Sequence, residues 1–145
     1  MSELYQSVII EHDRSPRNFR TLPAPSGRSE GRNPLCGDEV SVEVLVDAEG
    51  RIADIAFQGQ GCAISRASAS LMTAALVGHT TNEARELFDR FHALVTGNAV
   101  DAPPLGKLEA LRGVAEFPMR VKCATLAWHA MKEALNQADT QPGVP

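Results

Sequence analysis

Between residues 39 and 60 the chain carries a pattern that only strands satisfy. Val40, Val42, Val44 and Val46 occupy every second position, separated by Ser41, Glu43 and Leu45. Side chains alternate between two faces at a period of two in a strand and in no helix. Asp47-Ala48-Glu49-Gly50 supplies turn chemistry, with Gly50 free to take positive φ. Ile52, Ile55 and Phe57 then belong to a return strand, so the segment predicts an antiparallel hairpin with one buried face.

The flanking segments read as helices. Leu4, Val8 and Ile9 share one side of residues 3–12, and Arg14, Pro16 and Asn18 mark the end of that helix. Residues 21–34 are rich in Pro, Gly and Ser and read as irregular, with a short edge strand near Gly27–Asn33. Ala63–Val77 is an Ala/Ser-rich helix ending at Gly78. Thr80 and Glu83 form a capping box that opens a helix carrying Leu87, Phe88, Phe91, Leu94 and Val95 on one side, up to Gly97. Leu105, Leu108 and Leu111 predict a short helix around Lys107–Arg112. Pro118 fits the first turn of a last helix, which runs to about Gln137 and buries Leu126, Ala127, Ala130, Met131 and Leu135. The order is that of an α+β fold: a small antiparallel sheet of about three strands, packed on one face by several helices.

A length of 145 residues suits one domain spanning 1–145, with residues 138–145 as a flexible tail. Only seven residues are aromatic, so Val, Leu, Ile, Ala and Met must supply most of the core. The net charge of −4 argues against a nucleic-acid partner, which calls for a basic footprint. No apolar run reaches the ~18–20 residues of a membrane helix, and Met1-Ser2-Glu3-Leu4-Tyr5 is no secretory leader. The expectation is a cytoplasmic protein away from membranes.

Three cysteines stand at structural boundaries. Cys36 lies in Asn33-Pro34-Leu35-Cys36-Gly37-Asp38, a loop feeding the hairpin. Cys62 ends Gly59-Gln60-Gly61-Cys62, where strand gives way to helix, and Cys123 lies near the start of the last helix. None falls where periodicity calls for an ordinary core residue. An odd number in a reducing compartment suits metal ligation or thiol chemistry better than a disulfide framework. Oriented N–H groups at helix amino termini favour negative charge. Asp38, two residues from Cys36, adds a carboxylate, and three sulfurs with one oxygen complete the tetrahedron that Zn²⁺ prefers. The spacings of 26 and 61 residues match no generic zinc pattern, and burial as small apolar residues is the competing reading.

Taken together, Pro34-Leu35-Cys36-Gly37-Asp38, the run Phe57-Gln58-Gly59-Gln60-Gly61-Cys62-Ala63-Ile64-Ser65-Arg66, and Arg120-Val121-Lys122-Cys123-Ala124-Thr125-Leu126 resemble the IscU/NifU N-terminal-like family of iron–sulfur cluster assembly proteins. The likeness runs from Leu4 to Leu135. Within the family the chain is similar to the SufU branch. Lys122 stands where the IscU type has a His, and the long gap between Cys62 and Cys123, with Gly97–Gly113 as its loop-rich part, resembles the SufU insertion. Glu116-Phe117-Pro118-Met119-Arg120 departs from the IscU chaperone-recognition segment, which weakens the expectation of such a partner.

The resemblance implies a SufE/NifU-like fold and a Zn²⁺ site on Cys36, Asp38, Cys62 and Cys123. It implies a sulfurtransferase that takes persulfide sulfur from a PLP-dependent cysteine desulfurase of the SufS type and serves downstream SUF scaffold proteins. Cys36 is the implied nucleophile, freed when a His of the desulfurase takes its place on zinc. The alternative is a scaffold on which a [2Fe–2S] cluster is assembled and transferred, since the same thiolates hold iron. A structural zinc domain without turnover is a third class.

Other polar residues are ambiguous in sequence. Lys122 is a solvated side chain or a charge that steadies a passing persulfide. Arg120 is a surface residue or a partner contact, and Arg66 answers to neighbouring carboxylates or to a docking surface. His12 and His79 read as capping or solvated, and His92 and His129 as neighbours of apolar helix faces.

Overall fold

The alternating segment forms the middle of a three-stranded antiparallel sheet in the computed structural model, which describes residues 3–34, 37–98 and 103–140. Strand β2 (Asp38–Val46) lies between β1 (Gly27–Asn33) and β3 (Ile52–Gln60). Val44 pairs with Ile55 and Val42 with Phe57, and these four side chains are buried together. Ile52 lies three residues before Ile55, out of phase with a period of two. A bulge at Leu45/Val46 takes up the extra residue, so that Ile52 pairs with Val46 and is buried as well. The other face is not fully solvated. Glu43 is buried and accepts the N–H of Leu22 at 3.0 Å.

The expected edge strand is β1. Its glycines explain why it is hard to read by hydrophobicity: α4 (Pro118–Thr140) lies directly against it. A Cβ on Gly27 would stand 2.0 Å from the carbonyl oxygen of Ala134, and one on Gly31 would stand 3.1 Å from the Leu126 side chain. Close approach of the helix backbone requires glycine at position 27, whereas at Gly31 a Cβ would crowd the Leu126 side chain. Arg28, Glu30 and Arg32 alternate with these glycines and keep the edge charged, as an unprotected strand edge requires.

Helix α2 (Ala63–Leu76) packs beside α4 over the sheet, and α1 (Glu3–Arg14) packs on α2. The Ala/Ser content of α2 serves close packing: Ser65, Ser68, Ser70 and Thr73 are all buried. Ser68 Oγ donates to the Ala124 carbonyl and accepts from Trp128 Nε1 at 3.1 Å, which ties α2 to α4. Gly78 has φ +86° just past α2, as expected for a helix stop. Helix α3 (Thr81–Val95) opens with the expected reciprocal Thr80–Glu83 capping box. Phe91 of α3 stacks on Trp128 at 4.3 Å between ring centroids, and both are fully buried. Trp128 is thus the largest core residue that the sequence reading did not place. Leu126, expected in the core, is only partly buried.

The short helix expected at Lys107–Arg112 is a 3₁₀ helix over Gly106–Glu116. Leu108, Leu111 and Val114 recur every third residue and are all buried. An i, i+3 repeat forms a straight stripe at three residues per turn and drifts at 3.6, so the spacing specifies the tighter helix. The result is an α+β fold with its helices on one face of the sheet, as the element order predicts. No helix among the described residues is long and apolar enough to cross a membrane.

His12, expected as a capping or solvated residue near a helix end, lies in the last turn of α1 but is buried against α2. Burial, and secondarily the positive charges of Arg17 and Lys107, lower its pKa below the ordinary imidazole value of ~6.5. The folded protein therefore resists a proton that the unfolded chain accepts. Stability is fully present above the unfolded value and falls as pH drops below ~6.5 towards the folded value. Thermal melts of metal-free protein from neutral to mildly acidic pH are expected to shift downward through that window. A flat profile would show that His12 charges as readily in the fold as outside it.

Candidate metal centre

Asp38 begins β2 and pairs across the hairpin with Asn33 of β1. Its side chain is fully buried. Asp38 Oδ1 accepts the backbone N–H of Cys62 at 3.0 Å, and Oδ2 lies 3.9 Å from Cys62 Sγ. Cys62 is the N-cap residue of α2, in extended conformation, and its side chain makes no cap hydrogen bond. The helix start thus turns an amide towards the carboxylate while leaving the thiol available.

Gly59 and Gly61 make this closure possible. A Cβ on Gly61 would lie 2.6 Å from Asp38 Oδ1. Gly59 has φ +143°, and a Cβ there would meet the Glu39 carbonyl oxygen at 2.1 Å. The two glycines let the end of β3 close over the start of β2, so what they admit is Asp38 itself and the neighbouring strand.

Cys123 is the sixth residue of α4. Helical side chains lean towards the amino terminus, and Cys123 Sγ reaches 3.8 Å from the Met119 carbonyl oxygen. Contrary to the sequence expectation, it does sit on a core stripe. Cys123 is 4% exposed and lines up with Ala127, Ala130 and Ala134, all buried. It lies at the end of that stripe, where the core meets Asp38 and Cys62. One ligand atom from each of Asp38, Cys62 and Cys123 lies within 4.8 Å of the others. They form the one such group of three or more Cys, His, Asp or Glu among the described residues, and no histidine joins it. Cys36, the fourth expected ligand, lies outside the described residues. Gly37 beside it has φ +72° and donates its N–H to the Asn33 carbonyl at 2.9 Å.

The donor set fits a tetrahedral cation. Donors around Zn²⁺ with bonds of ~2.0–2.3 Å lie about 3.5–3.8 Å apart, and the 3.9 Å between Cys62 Sγ and Asp38 Oδ2 is close to that. Two thiols and a buried carboxylate in contact are the chemistry of a cation site, because the carboxylate has one N–H partner and lone pairs left over.

The ambiguous residues divide. Arg66 is held by a carboxylate: its Nε lies 3.1 Å from Asp13 Oδ1, and its guanidinium covers the Phe19 ring. Arg120 is exposed and stacks on Phe117 with its guanidinium carbon 5.1 Å from the ring centroid. Lys122 is exposed immediately before Cys123. Phe117 and Met119 are 46% and 57% exposed at the amino end of α4. The sequence reading did not single them out as an apolar flank of the site. Phe117 directly precedes α4, and Met119 lies four residues before Cys123 on the same helical line, where that line runs out beyond the core.

Comparison with known proteins fits this geometry. The model of the NifU-like N-terminal domain matches residues 4–142. The chain is 43% identical over 139 residues to the iron–sulfur cluster assembly scaffold protein IscU of Streptococcus pyogenes serotype M1, covering 95% of this chain and 86% of the relative. It is 38% identical over 136 residues to the zinc-dependent sulfurtransferase SufU of Bacillus subtilis, covering 93% and 91%. Among solved structures, the putative iron–sulfur cluster assembly scaffold protein for the SUF system from Fervidobacterium islandicum superposes with a TM-score of 0.83 at 33% identity, covering 93% of this chain and 96% of that one. The chain therefore belongs to the family of NifU-like N-terminal domains.

Proposed function

We propose that this protein works in iron–sulfur cluster assembly as a zinc-dependent sulfur carrier, accepting persulfide sulfur from a PLP-dependent cysteine desulfurase of the SufS type and delivering it to SUF scaffold proteins. The observation that carries this reading is the convergence of Asp38, Cys62 and Cys123. Cys36 completes the set: two peptide units separate it from Asp38, so their Cα atoms are at most ~7.6 Å apart. Zinc held by these four residues keeps its thiol ligands deprotonated at neutral pH. In the transfer, the Cys36 thiolate attacks the outer sulfur of the desulfurase persulfide. The S–S bond breaks, the desulfurase cysteine leaves as thiolate, and Cys36 carries the persulfide with no net oxidation.

Lys122 and Arg120 supply positive charge beside the arriving persulfide anion, and exposed Phe117 and Met119 offer the desulfurase an apolar contact. The reading places the protein in the cytoplasm, where thiols stay reduced. The likeness to an IscU scaffold protein favours a second reading, in which the same thiolates hold a [2Fe–2S] cluster for transfer. Elemental analysis of protein purified without added metal separates the two. The carrier reading expects a colourless protein with near-stoichiometric zinc, and stimulation of a SufS-type desulfurase. A brown protein containing iron and labile sulfide, without stimulation, would establish the scaffold instead.

A further inference from the structure

Helices α3 and α4 bring two histidines together at the surface. His92 of α3 and His129 of α4 are both exposed, and their ring centroids lie 6.5 Å apart. Phe88, 7% exposed, lies beneath them: it meets His129 edge-on at 5.1 Å and stacks on His92 at 6.2 Å. Three rings thus form a triangle, with the apolar one inside and the two imidazoles open to water. Among the described residues neither imidazole makes a hydrogen bond or an ion pair. Each is therefore free to turn about its Cβ–Cγ bond and present a ring nitrogen to the other.

The spacing suits a shared cation. A Zn–N bond of ~2.0–2.1 Å and a ring radius of about 1.1 Å put each centroid about 3.2 Å from a bound ion, so two rings on one ion are at most about 6.4 Å apart. The observed pair stands at the outer edge of that range. Closing to the ~5.2 Å of a tetrahedral angle takes a combined swing of about 1.3 Å, within reach of two exposed side chains that no hydrogen bond holds. A ring nitrogen binds metal only when unprotonated. Partial burial, and then the positive charges of His92 and Lys132, lower the pKa of His129 below the ordinary imidazole value, so its ring is neutral at neutral pH. Lys132 Nζ, 4.9 Å from the Phe88 ring centroid, opposes a cation and keeps the site weaker than the metal centre. No third Cys, His, Asp or Glu among the described residues completes a ligand group with the pair. Imidazole suits Zn²⁺, Ni²⁺ and Cu²⁺, whereas Mg²⁺ and Ca²⁺ call for oxygen.

We propose that His92 and His129 form a second, exchangeable metal site that takes Zn²⁺ or another imidazole-binding divalent cation, with water completing its shell. His129 is six residues after Cys123, roughly 9 Å along α4, and is exposed where Cys123 is buried. The site is thus separate from Asp38, Cys62 and Cys123, and the sulfur-carrier reading stands or falls without it.

The test starts from the full chain carrying one equivalent of zinc and adds further Zn²⁺ while NMR follows the histidine ring nitrogens. The His92 and His129 signals are expected to shift together, with one midpoint, and to level off at one further equivalent. Mg²⁺ over the same range is expected to leave them unmoved. His92→Ala and His129→Ala, both at exposed positions, are each expected to weaken uptake of that equivalent at least tenfold while the melt stays cooperative. His79→Ala is the control: exposed His79 lies 3.6 Å from Glu83, away from the pair, and its loss is expected to leave the affinity unchanged. A shift of one ring without the other, an equal response to Mg²⁺, or undiminished uptake by folded His92→Ala would each overturn the proposal. An equal loss in all three variants would also overturn it, showing an adventitious ion only.

Discussion

Cys36→Ala is expected to reduce desulfurase stimulation to the level of the desulfurase alone, while the protein remains folded. The expectation follows from where the ligands are anchored. Cys62 caps α2 and Cys123 lies on the buried stripe of α4, so the backbone at both positions is fixed by a helix. Cys36 is joined to Asp38 through Gly37, whose positive φ and open surroundings leave room for backbone adjustment. On the proposed carrier reading, removing its thiol removes the acceptor, and the desulfurase persulfide has no outlet. Asp38→Ala keeps that thiol but leaves the Cys62 amide without its carboxylate partner, so its defect should lessen as zinc is raised. Alanine release from cysteine, measured across a zinc titration up to saturation with circular dichroism as a folding control, decides between them. Full stimulation by Cys36→Ala would transfer the acceptor role to Cys123. An Asp38→Ala defect that ignores zinc would remove the carboxylate from the ligand set.

Stripping the metal should produce the largest change in stability. Ligands from the start of β2, the cap of α2 and the second turn of α4 are brought within 4.8 Å of each other. A cation bound only by the folded arrangement stabilises it by mass action, ~4.1 kcal/mol at a thousandfold excess over its Kd. For a chain of this size each kcal/mol moves the melting temperature ~2–4 °C, so chelation is expected to lower it by roughly 8–16 °C. Without the cation, a buried carboxylate lies beside two thiols with one N–H to satisfy it. Calorimetry of the stripped and reloaded protein measures the difference. Coincident melts would mean that the three residues are held by the fold alone and gain nothing from the ion.

Much of this architecture is legible from local pattern. The valine alternation of β2 and the Thr80–Glu83 cap are short-range signals, and both occur where the sequence puts them. The edge strand β1 is harder, because two of its inner positions, Gly27 and Gly31, are glycines whose role depends on a helix about a hundred residues later. The i, i+3 leucines predict a helix, and only their strict spacing distinguishes the 3₁₀ form. In the site, Asp38, Cys62 and Cys123 are brought together as the motif implies. The carboxylate-to-amide bond that joins two of them is a tertiary contact, invisible to any periodicity. The burial of His12 is hidden from local pattern in the same way: its helix end is covered by Ser70, fifty-eight residues away in sequence.

The missing side chain at Gly27 has a consequence for how the protein tolerates change. The α4 main chain comes so close there that a Cβ would stand 2.0 Å from the Ala134 carbonyl oxygen. Main-chain contact is the same whichever side chains α4 carries at that point, so the helix keeps its height above the sheet as those residues vary. Ala134 is three helical turns beyond Cys123, roughly 16 Å along the axis. The reach of Cys123 towards Asp38 is therefore gauged from a distance, by an empty position on an edge strand. Drift along α4 leaves the spacing of the ligands intact, whereas a single added methyl group at Gly27 would lift the far end of the helix and alter the bite of the metal centre without touching any residue in it.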